Sequence, residues 1–443
     1  MKTAIIGGGA AGFFCAVNIK EMLPEMDVVI FERSRKVLSK VAISGGGRCN
    51  CSNSFDGVKD LSEVYPRGHR LMKRLFHVFD YNDAYSWFER HGVRLVTQDD
   101  NCVFPAAHDS GVVIDCFQTY AKRFGVDVRM GHKVESLDDV RDYDFIVVTT
   151  GGSPSGQGLR WLMELGHEIV SPVPSLFTFA INDDRMHSLM GLVKDVAVHI
   201  SGTKYYSEGP MLITHWGVSG PAILKLSSHA ARFLSENGYF CPLSVNWLVQ
   251  QESDVRRIID ETMETNGKKQ VLSYGINGFS NRLWQFVAER ALGKDFQKRW
   301  AELNKKEINR LVNTLTNDVY QISGRAKFKD EFVTCGGVSL TSVNPSTLES
   351  KHVRHLYFAG EVLDIDGITG GFNFQAAWTT GYTVAKSICQ EALMLWLTIS
   401  TRRARFSFVF AANTPDGLVG SRGLPCRSEI YPPASDNIKR DAA

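Results

Sequence analysis

The sequence predicts an α/β fold, a discontinuous Rossmann-like domain with β and helical subdomains inserted into it. Three observations predict it. A glycine-rich turn, Gly7 to Gly12, lies between an apolar run and an amphipathic segment. Two further apolar runs that end in small residues lie far down the chain, at 143–150 and 355–358. The stretch between them first alternates with a period of two and then becomes helical.

Each element follows in order. Thr3 to Ile6 is a short apolar run that fits a buried parallel strand. An amphipathic helix from about Ala10 to Met22 follows the glycines, and Pro24 stops it. Asp27 to Glu32, DVVIFE, is the second strand, which completes a βαβ unit of mononucleotide-binding size. Tyr143 to Thr150, YDFIVVTT, and His355 to Phe358, HLYF, extend the same sheet. Between Pro172 and Pro345, VAVHISG and LSVNWLV read as strands of a smaller β subdomain, and helical periodicity runs from Asp254 to about Tyr320. The expected segments are 1–171 and 346–391 for the nucleotide domain, with insertions at 172–252 (β), 253–325 (helical) and 326–345 (a return strand of the β subdomain). Residues 392–443, rich in Arg, Ser and Pro, read as a disordered tail.

The chain has 443 residues, which implies two or three domains. A net charge of +2 favours neither a nucleic-acid nor a membrane partner for the whole molecule. The stretch 254–330 is more basic, with fifteen Lys and Arg against ten Asp and Glu. No apolar run is long enough for a transmembrane helix, and MKTAIIGGG leaves no room for a secretory h-region. Nine cysteines without a framework read as reduced thiols of a cytoplasmic protein. HExxH or paired-ligand spacing is absent, so no metal is expected. GxSxG and Walker loops are absent too, which removes support for hydrolase and NTPase readings.

Gly7, Gly9 and Gly12 match GxGxxG in the strand–turn–helix setting that the motif requires. With Ala10 and Ala11 they would offer a helix N-terminus to a pyrophosphate. Glu32 lies twenty residues after Gly12, where a carboxylate accepts hydrogen bonds from ribose hydroxyls. Arg33 and Lys40 follow it as candidate contacts. The loop alone does not separate NAD from FAD.

Residues 357–382, YFAGEVLDIDGITGGFNFQAAWTTGY, decide for FAD. A strand ends at Gly360 and Glu361, a loop carries Asp366, and Gly370 and Gly371 precede a helix that starts near Phe372 and Asn373. Two-dinucleotide flavoproteins use this arrangement to bring a carboxylate to the ribityl chain and a helix dipole to the flavin N1–O2 edge. Thr150, Gly151 and Gly152, at the end of the 143–150 strand, are further contacts.

Four motifs then carry a resemblance: GGGAAG at 7–12, SGGGRCNCSN at 44–53, THWGVSGPAILKLS at 214–227, and TCGGVSL with the flavin segment at 334–382. The sequence resembles the BaiN/RdsA-type flavoprotein family of the glutathione-reductase-like superfamily. The resemblance implies an FAD domain built from both chain ends, with β-barrel-like and helical insertions. It implies FAD-dependent reduction of carbon–carbon double bonds, in steroid-type enones or in a ribosomal RNA uridine, and one relative is credited with amine oxidation. TTGGSPSGQGLR at 149–160 is shorter than the family's usual loop.

Within SGGGRCNCSN, Gly46 and Gly47 can form an anion nest, Arg48 can meet a phosphate or a flavin oxygen, and Asn50 can hydrogen-bond the ring. Cys49 reads as a packed or polar-lining thiol, since a Cys49–Cys51 disulfide would close a strained ring. His215, in the inserted region, is either a proton donor or a structural histidine, with Ser219 near an N-cap and Pro221 near N1 of the next helix.

The resulting expectation is a flavoenzyme that takes hydride from NAD(P)H and gives it to an activated double bond of a small molecule. The alternatives are an rRNA-modifying enzyme that makes dihydrouridine and an oxidase of small amines. A second GxGxxG between 155 and 350 is absent, so NAD(P)H would bind transiently over the flavin.

Overall fold

The computed structural model describes residues 1–294, 296–325 and 333–412. Strand Lys2–Ile6 lies at the centre of a five-stranded, wholly parallel sheet. The strand order is Leu356–Phe358, Phe145–Val148, Lys2–Ile6, Asp27–Glu32 and Asp127–Met130. Ile5 pairs with Ile30 on one side and Val147 on the other. All three are fully buried, and a strand covered on both faces reads as an unbroken apolar run.

Segments far apart in sequence meet on this sheet. Helix Ala10–Met22 packs against the final helix, Phe372–Ala412. An added Cβ on Gly381 would come within 3.0 Å of the Ala11 carbonyl oxygen. Phe14 sits 4.6 Å from Trp87 and 5.2 Å from Trp378 between ring centroids, in an aromatic core with Phe88 and Phe117. Rings this close contribute about 0.5–1.5 kcal/mol per pair beyond their burial.

The insertion is a closed six-stranded antiparallel barrel. Its order is Val193–Ile200, Tyr206–Thr214, Gly217–Ser219, Phe179–Ile181, Asp318–Arg325 and Pro242–Asn246. Closure leaves no edge strand, and Val196, Val198, Met211, Ile213, Leu243 and Ile322 fill the interior. Helices Glu252–Asn266, Asn281–Leu292 and Lys305–Thr316 form the helical part, with Trp284 and Trp300 stacked at 5.8 Å. Arg290 ties it to the barrel through a 2.5 Å contact to the buried Asp318, which also accepts the Trp247 indole N–H.

Two expected boundaries change. The strand that returns to the barrel is Asp318–Arg325, not a segment within 326–345. It alternates buried and exposed residues through Ser323, a period-two signal that the preceding helical pattern overran. Strand Val333–Val338 pairs instead with Ile169–Ser175 in a separate two-stranded sheet. The final helix runs to Ala412, so 392–412 are helical rather than disordered, and 413–443 lie outside the described residues. Met1–Ala392 form one compact unit. Among the described residues, no helix is long and apolar enough to cross a membrane.

Candidate functional site: a dinucleotide cradle

Gly7 ends the central strand at φ +117°. An added Cβ there would meet the Thr149 carbonyl oxygen at 2.4 Å, and one on Gly12 would meet the Gly7 oxygen at 2.1 Å. These two glycines let the strand, the first helix and the 145–148 strand converge. Thr149 fixes the turn, its hydroxyl donating to the Gly7 oxygen at 2.8 Å. Gly9 differs. Its φ of −94° and ψ of −167° suit any residue, and an added Cβ meets nothing within 4 Å. It heads a helix whose N-cap makes no side-chain hydrogen bond. A helix start with free N–H groups, open space and partial positive charge is an anion site. Glu32 lies at the base of the loop, accepting from Gly8 N–H at 2.9 Å and Ser34 N–H at 2.8 Å.

Distant candidates close around this loop. Lys40 Nζ lies 2.6 Å from Glu361 Oε2. The other Glu361 oxygen accepts from Thr334 N–H at 2.8 Å. Gly152 is needed beside them, since an added Cβ would lie 2.7 Å from Glu361 Oε1 and 2.4 Å from Thr334 Oγ1. Gly151 is next, 3.9 Å from Glu361 Oε2 by the same construction, and Gly7 places Thr150 Cα 3.0 Å from its own missing Cβ. Gly360 faces Ala11, the residue after Ala10 at the helix start, and donates its N–H to Thr380 at 2.9 Å. Arg33 is exposed beyond Glu32.

A second group gathers at the start of the final helix. Gly371 has φ +93°, and an added Cβ would fall 2.0 Å from the Ser52 oxygen. Asn50 bridges these segments, its amide donating to the Ser52 oxygen at 2.9 Å and its oxygen accepting from Gly371 N–H at 3.2 Å. Asn53 donates to the Gly370 oxygen at 3.0 Å. Phe372 packs edge-on to Phe55, and its carbonyl accepts the Tyr65 hydroxyl at 2.8 Å.

Several candidates do other work. Asp366 is fully buried and paired with Arg67 through both oxygens, with Ser175 Oγ donating to it at 3.0 Å. Burial pushes its carboxyl up and Arg67 pulls it down. Both of its oxygens are taken up within the protein, by Arg67 and Ser175. Asn373 holds the 367–368 loop through hydrogen bonds to the Gly367 N–H and oxygen. Arg48 is exposed, lies 4.4 Å from the Phe104 ring and donates to the Gly45 oxygen. Gly46 and Gly47, at φ +68° and +86°, have open space where a Cβ would stand. Cys49 is fully buried and faces Cys51.

His215 is exposed in the hairpin turn between Tyr206–Thr214 and Gly217–Ser219, 4.6 Å from the Trp216 ring. It borders a cavity of about 260 Å³ lined by Met190, Leu212 and Thr178. The next helix begins at Pro221, with Gly220 at φ +92° as its N-cap in place of Ser219. Ser219 instead accepts the Thr178 hydroxyl at 2.8 Å. Among the described residues, no group of three or more His, Cys, Asp or Glu could hold a metal.

Sequence reasoning missed Thr149, Thr334, Thr380 and Arg67. The three threonines act through hydrogen bonds to backbone or to a carboxylate, which leave no spacing signal. Arg67 meets Asp366 across 299 positions.

Comparison with known proteins gives relatives along most of the chain. It is 26% identical over 413 residues to the 3-dehydro-bile acid delta(4,6)-reductase of Clostridium scindens, covering 88% of this chain and 99% of that one. It is 25% identical over 418 residues to the ribosomal RNA dihydrouridine synthase of Haemophilus influenzae, with 88% and 99% covered. It is 26% identical over 407 residues to the protein of the same description from Escherichia coli, with 87% and 97% covered. The profile of the HI0933-like protein Rossmann domain matches residues 1–387, and the chain therefore belongs to the HI0933-like flavoprotein family.

Proposed function

We propose that this chain is an FAD-dependent oxidoreductase that reduces a carbon–carbon double bond conjugated to a carbonyl, with NAD(P)H as a transient reductant. The observation that carries the reading is the convergence of four distant segments at one cradle. The first helix N-terminus, Gly151–Gly152, Lys40 and Glu361 meet there.

The cradle fits FAD because its glycines leave room where a Cβ would intrude and its helix start is uncapped. The N–H groups at Gly9 to Ala11 would hold the pyrophosphate. Glu32 would hold the ribose hydroxyls. Glu361, oriented by Lys40 and Thr334, would meet the ribityl chain. Asn50 and the Gly371 N–H would lie at the edge of the ring, where a helix N-terminus stabilises negative charge. Bound FAD would supply hydride transfer from its N5 atom. A side-chain acid completes the reduction by protonating the carbon next to the carbonyl, and His215 is its candidate.

A second reading, reduction of a uridine in ribosomal RNA, is favoured by the two relatives named as dihydrouridine synthases. The double bond of uracil is also conjugated to a carbonyl, so the same hydride chemistry would serve either substrate.

The test is anaerobic mixing of the yellow protein with NADH or NADPH, then with a steroid enone or an rRNA fragment. The reading expects bleaching by a nicotinamide and recovery of colour with one acceptor, together with a product heavier by two hydrogens. Colour that persists with both nicotinamides would overturn the NAD(P)H step. Recovery with the rRNA fragment alone would select the second reading.

A further inference from the structure

The sequence argues against a disulfide between Cys49 and Cys51, yet the structure brings their sulfurs to 3.6 Å, with the Cys51 thiol donating to Cys49. Both side chains are fully buried. The approach comes from the backbone. Cys49 takes φ +60°, a left-handed conformation that non-glycine residues rarely adopt, two residues after a run of three left-handed glycines, with Arg48 at φ −92° between them. That bend contracts the chain and turns two side chains, one residue apart, toward each other. An outlier of this kind persists only where its surroundings hold it.

They do hold it. Cys49 N–H donates to the Ser44 oxygen at 3.0 Å and Cys51 N–H to the Val103 oxygen at 2.8 Å. The Cys51 carbonyl accepts the Trp378 indole N–H, also at 2.8 Å. With both backbones fixed from outside, the two sulfurs are pre-oriented.

We propose that Cys49 and Cys51 form a redox pair that closes to an intramolecular disulfide when a hydroperoxide reaches it. The proposal does not depend on the flavin reading. Cys49, whose sulfur accepts the Cys51 hydrogen bond, is oxidised first. It takes one oxygen from hydrogen peroxide, the O–O bond breaks, and water leaves as Cys49 becomes a sulfenic acid. The Cys51 sulfur then attacks the Cys49 sulfur, the S–S bond forms, and the sulfenic oxygen leaves as a second water with the Cys51 proton. Two thiols are oxidised by two electrons, and one peroxide is reduced to two waters. The hydrogen bond to Cys49, with burial, pushes the Cys51 thiol up, which disfavours Cys51 as the first of the two to be oxidised. Because Asn50 lies between the two cysteines and contacts Gly371, the redox state of the pair would be felt at the start of the final helix.

The test uses the full chain. Cleavage after Arg48 and Lys59 isolates Cys49–Lys59, which holds these two cysteines and no other. Folded protein is treated with hydrogen peroxide, denatured, alkylated, digested and weighed. The expected peptide is lighter by two hydrogens and carries no alkyl group, and a dithiol reductant applied before alkylation restores two alkylated sites. Cys51→Ser should give no bridge and should let Cys49 run on to the sulfinic acid. Met190, which is 58% exposed, reports that the oxidant acted. Two alkylatable thiols in wild-type protein whose Met190 has become the sulfoxide would overturn the proposal. So would over-oxidation of Cys49 in wild type without a bridge. Neither result depends on a variant that folds.

Discussion

Lys40 Nζ reaches Glu361 Oε2 at 2.6 Å, joining residues 321 positions apart at the mouth of the glycine loop. Lys40 is 55% exposed, so the pair itself adds at most about 1 kcal/mol to stability. Its importance is geometric, since Glu361 is held on its other side by Thr334. Glu361→Gln keeps an acceptor for the Thr334 N–H and loses the charge. The expected result is a thermal midpoint close to wild type with FAD bound about tenfold more weakly, a change of about 1.4 kcal/mol. Flavin fluorescence titration of apoprotein checks it, and unchanged affinity would remove Glu361 from the cofactor site.

Gly9 and Gly12 separate cofactor space from packing space. Gly12→Ala drives a Cβ into the Gly7 oxygen and should destabilise the fold by about 1–3 kcal/mol. Gly9→Ala meets nothing in the protein, so urea unfolding of apoprotein should be unchanged while FAD affinity falls. Equal FAD affinity in Gly9→Ala and wild type would place the pyrophosphate elsewhere.

Arg67→Ala leaves Asp366 buried without its partner. Removing one member of a buried pair costs about 3–5 kcal/mol. Arg67 also donates to the Ser228 oxygen at 2.7 Å, so the loss reaches the helix beneath the barrel. Chemical denaturation is the measurement, and a loss below 1 kcal/mol would show the carboxyl to be neutral in the native protein.

His167 and His229 make stability depend on pH. Burial pushes both imidazoles down, and for His229 Arg67 and Lys225 push the same way. Above the ordinary imidazole range both are neutral in folded and unfolded chains, and their contribution is complete. As pH falls through that range, about 6.5, the unfolded chain binds protons that the folded chain refuses, so stability is lost. Urea midpoints should fall from about pH 7 to about pH 5. His167→Gln should make that slope shallower, and an identical slope would exclude His167 as a contributor.

His215→Asn tests the proton donor. The side chain is exposed in a turn, so stability should change by no more than about 0.5 kcal/mol. As the acid, it would lower turnover by about 10²–10⁴-fold. Turnover unchanged across the pH range would assign the proton to another group or to water.

Four strands of the parallel sheet were legible because they are largely buried and read as apolar runs, as at Ala4–Ile6 and Val147–Val148, whereas the edge strand Asp127–Met130, mostly exposed, left no such run. The barrel was half legible. Strands Val193–Ile200 and Pro242–Asn246 alternate visibly, whereas Asp318–Arg325 follows directly on helix Lys305–Thr316 and was absorbed into it. The final helix was cut short at 391 because its amphipathic period fades there, although the backbone continues as helix to Ala412.

The sequence by itself determined the glycine turn, the place of Glu32 at the end of the second strand and the glycine-led helix start at 370–373, because each rests on local backbone needs that few residue types meet. Tertiary structure alone decided what those side chains touch. It turned Asp366 toward Arg67, set Glu361 between Lys40 and Thr334, and brought two buried sulfurs together at Cys49 and Cys51. The physical reason is range. Backbone conformation is written in neighbouring residues, whereas the partner of a buried polar group is whichever donor or acceptor the fold delivers from elsewhere in the chain.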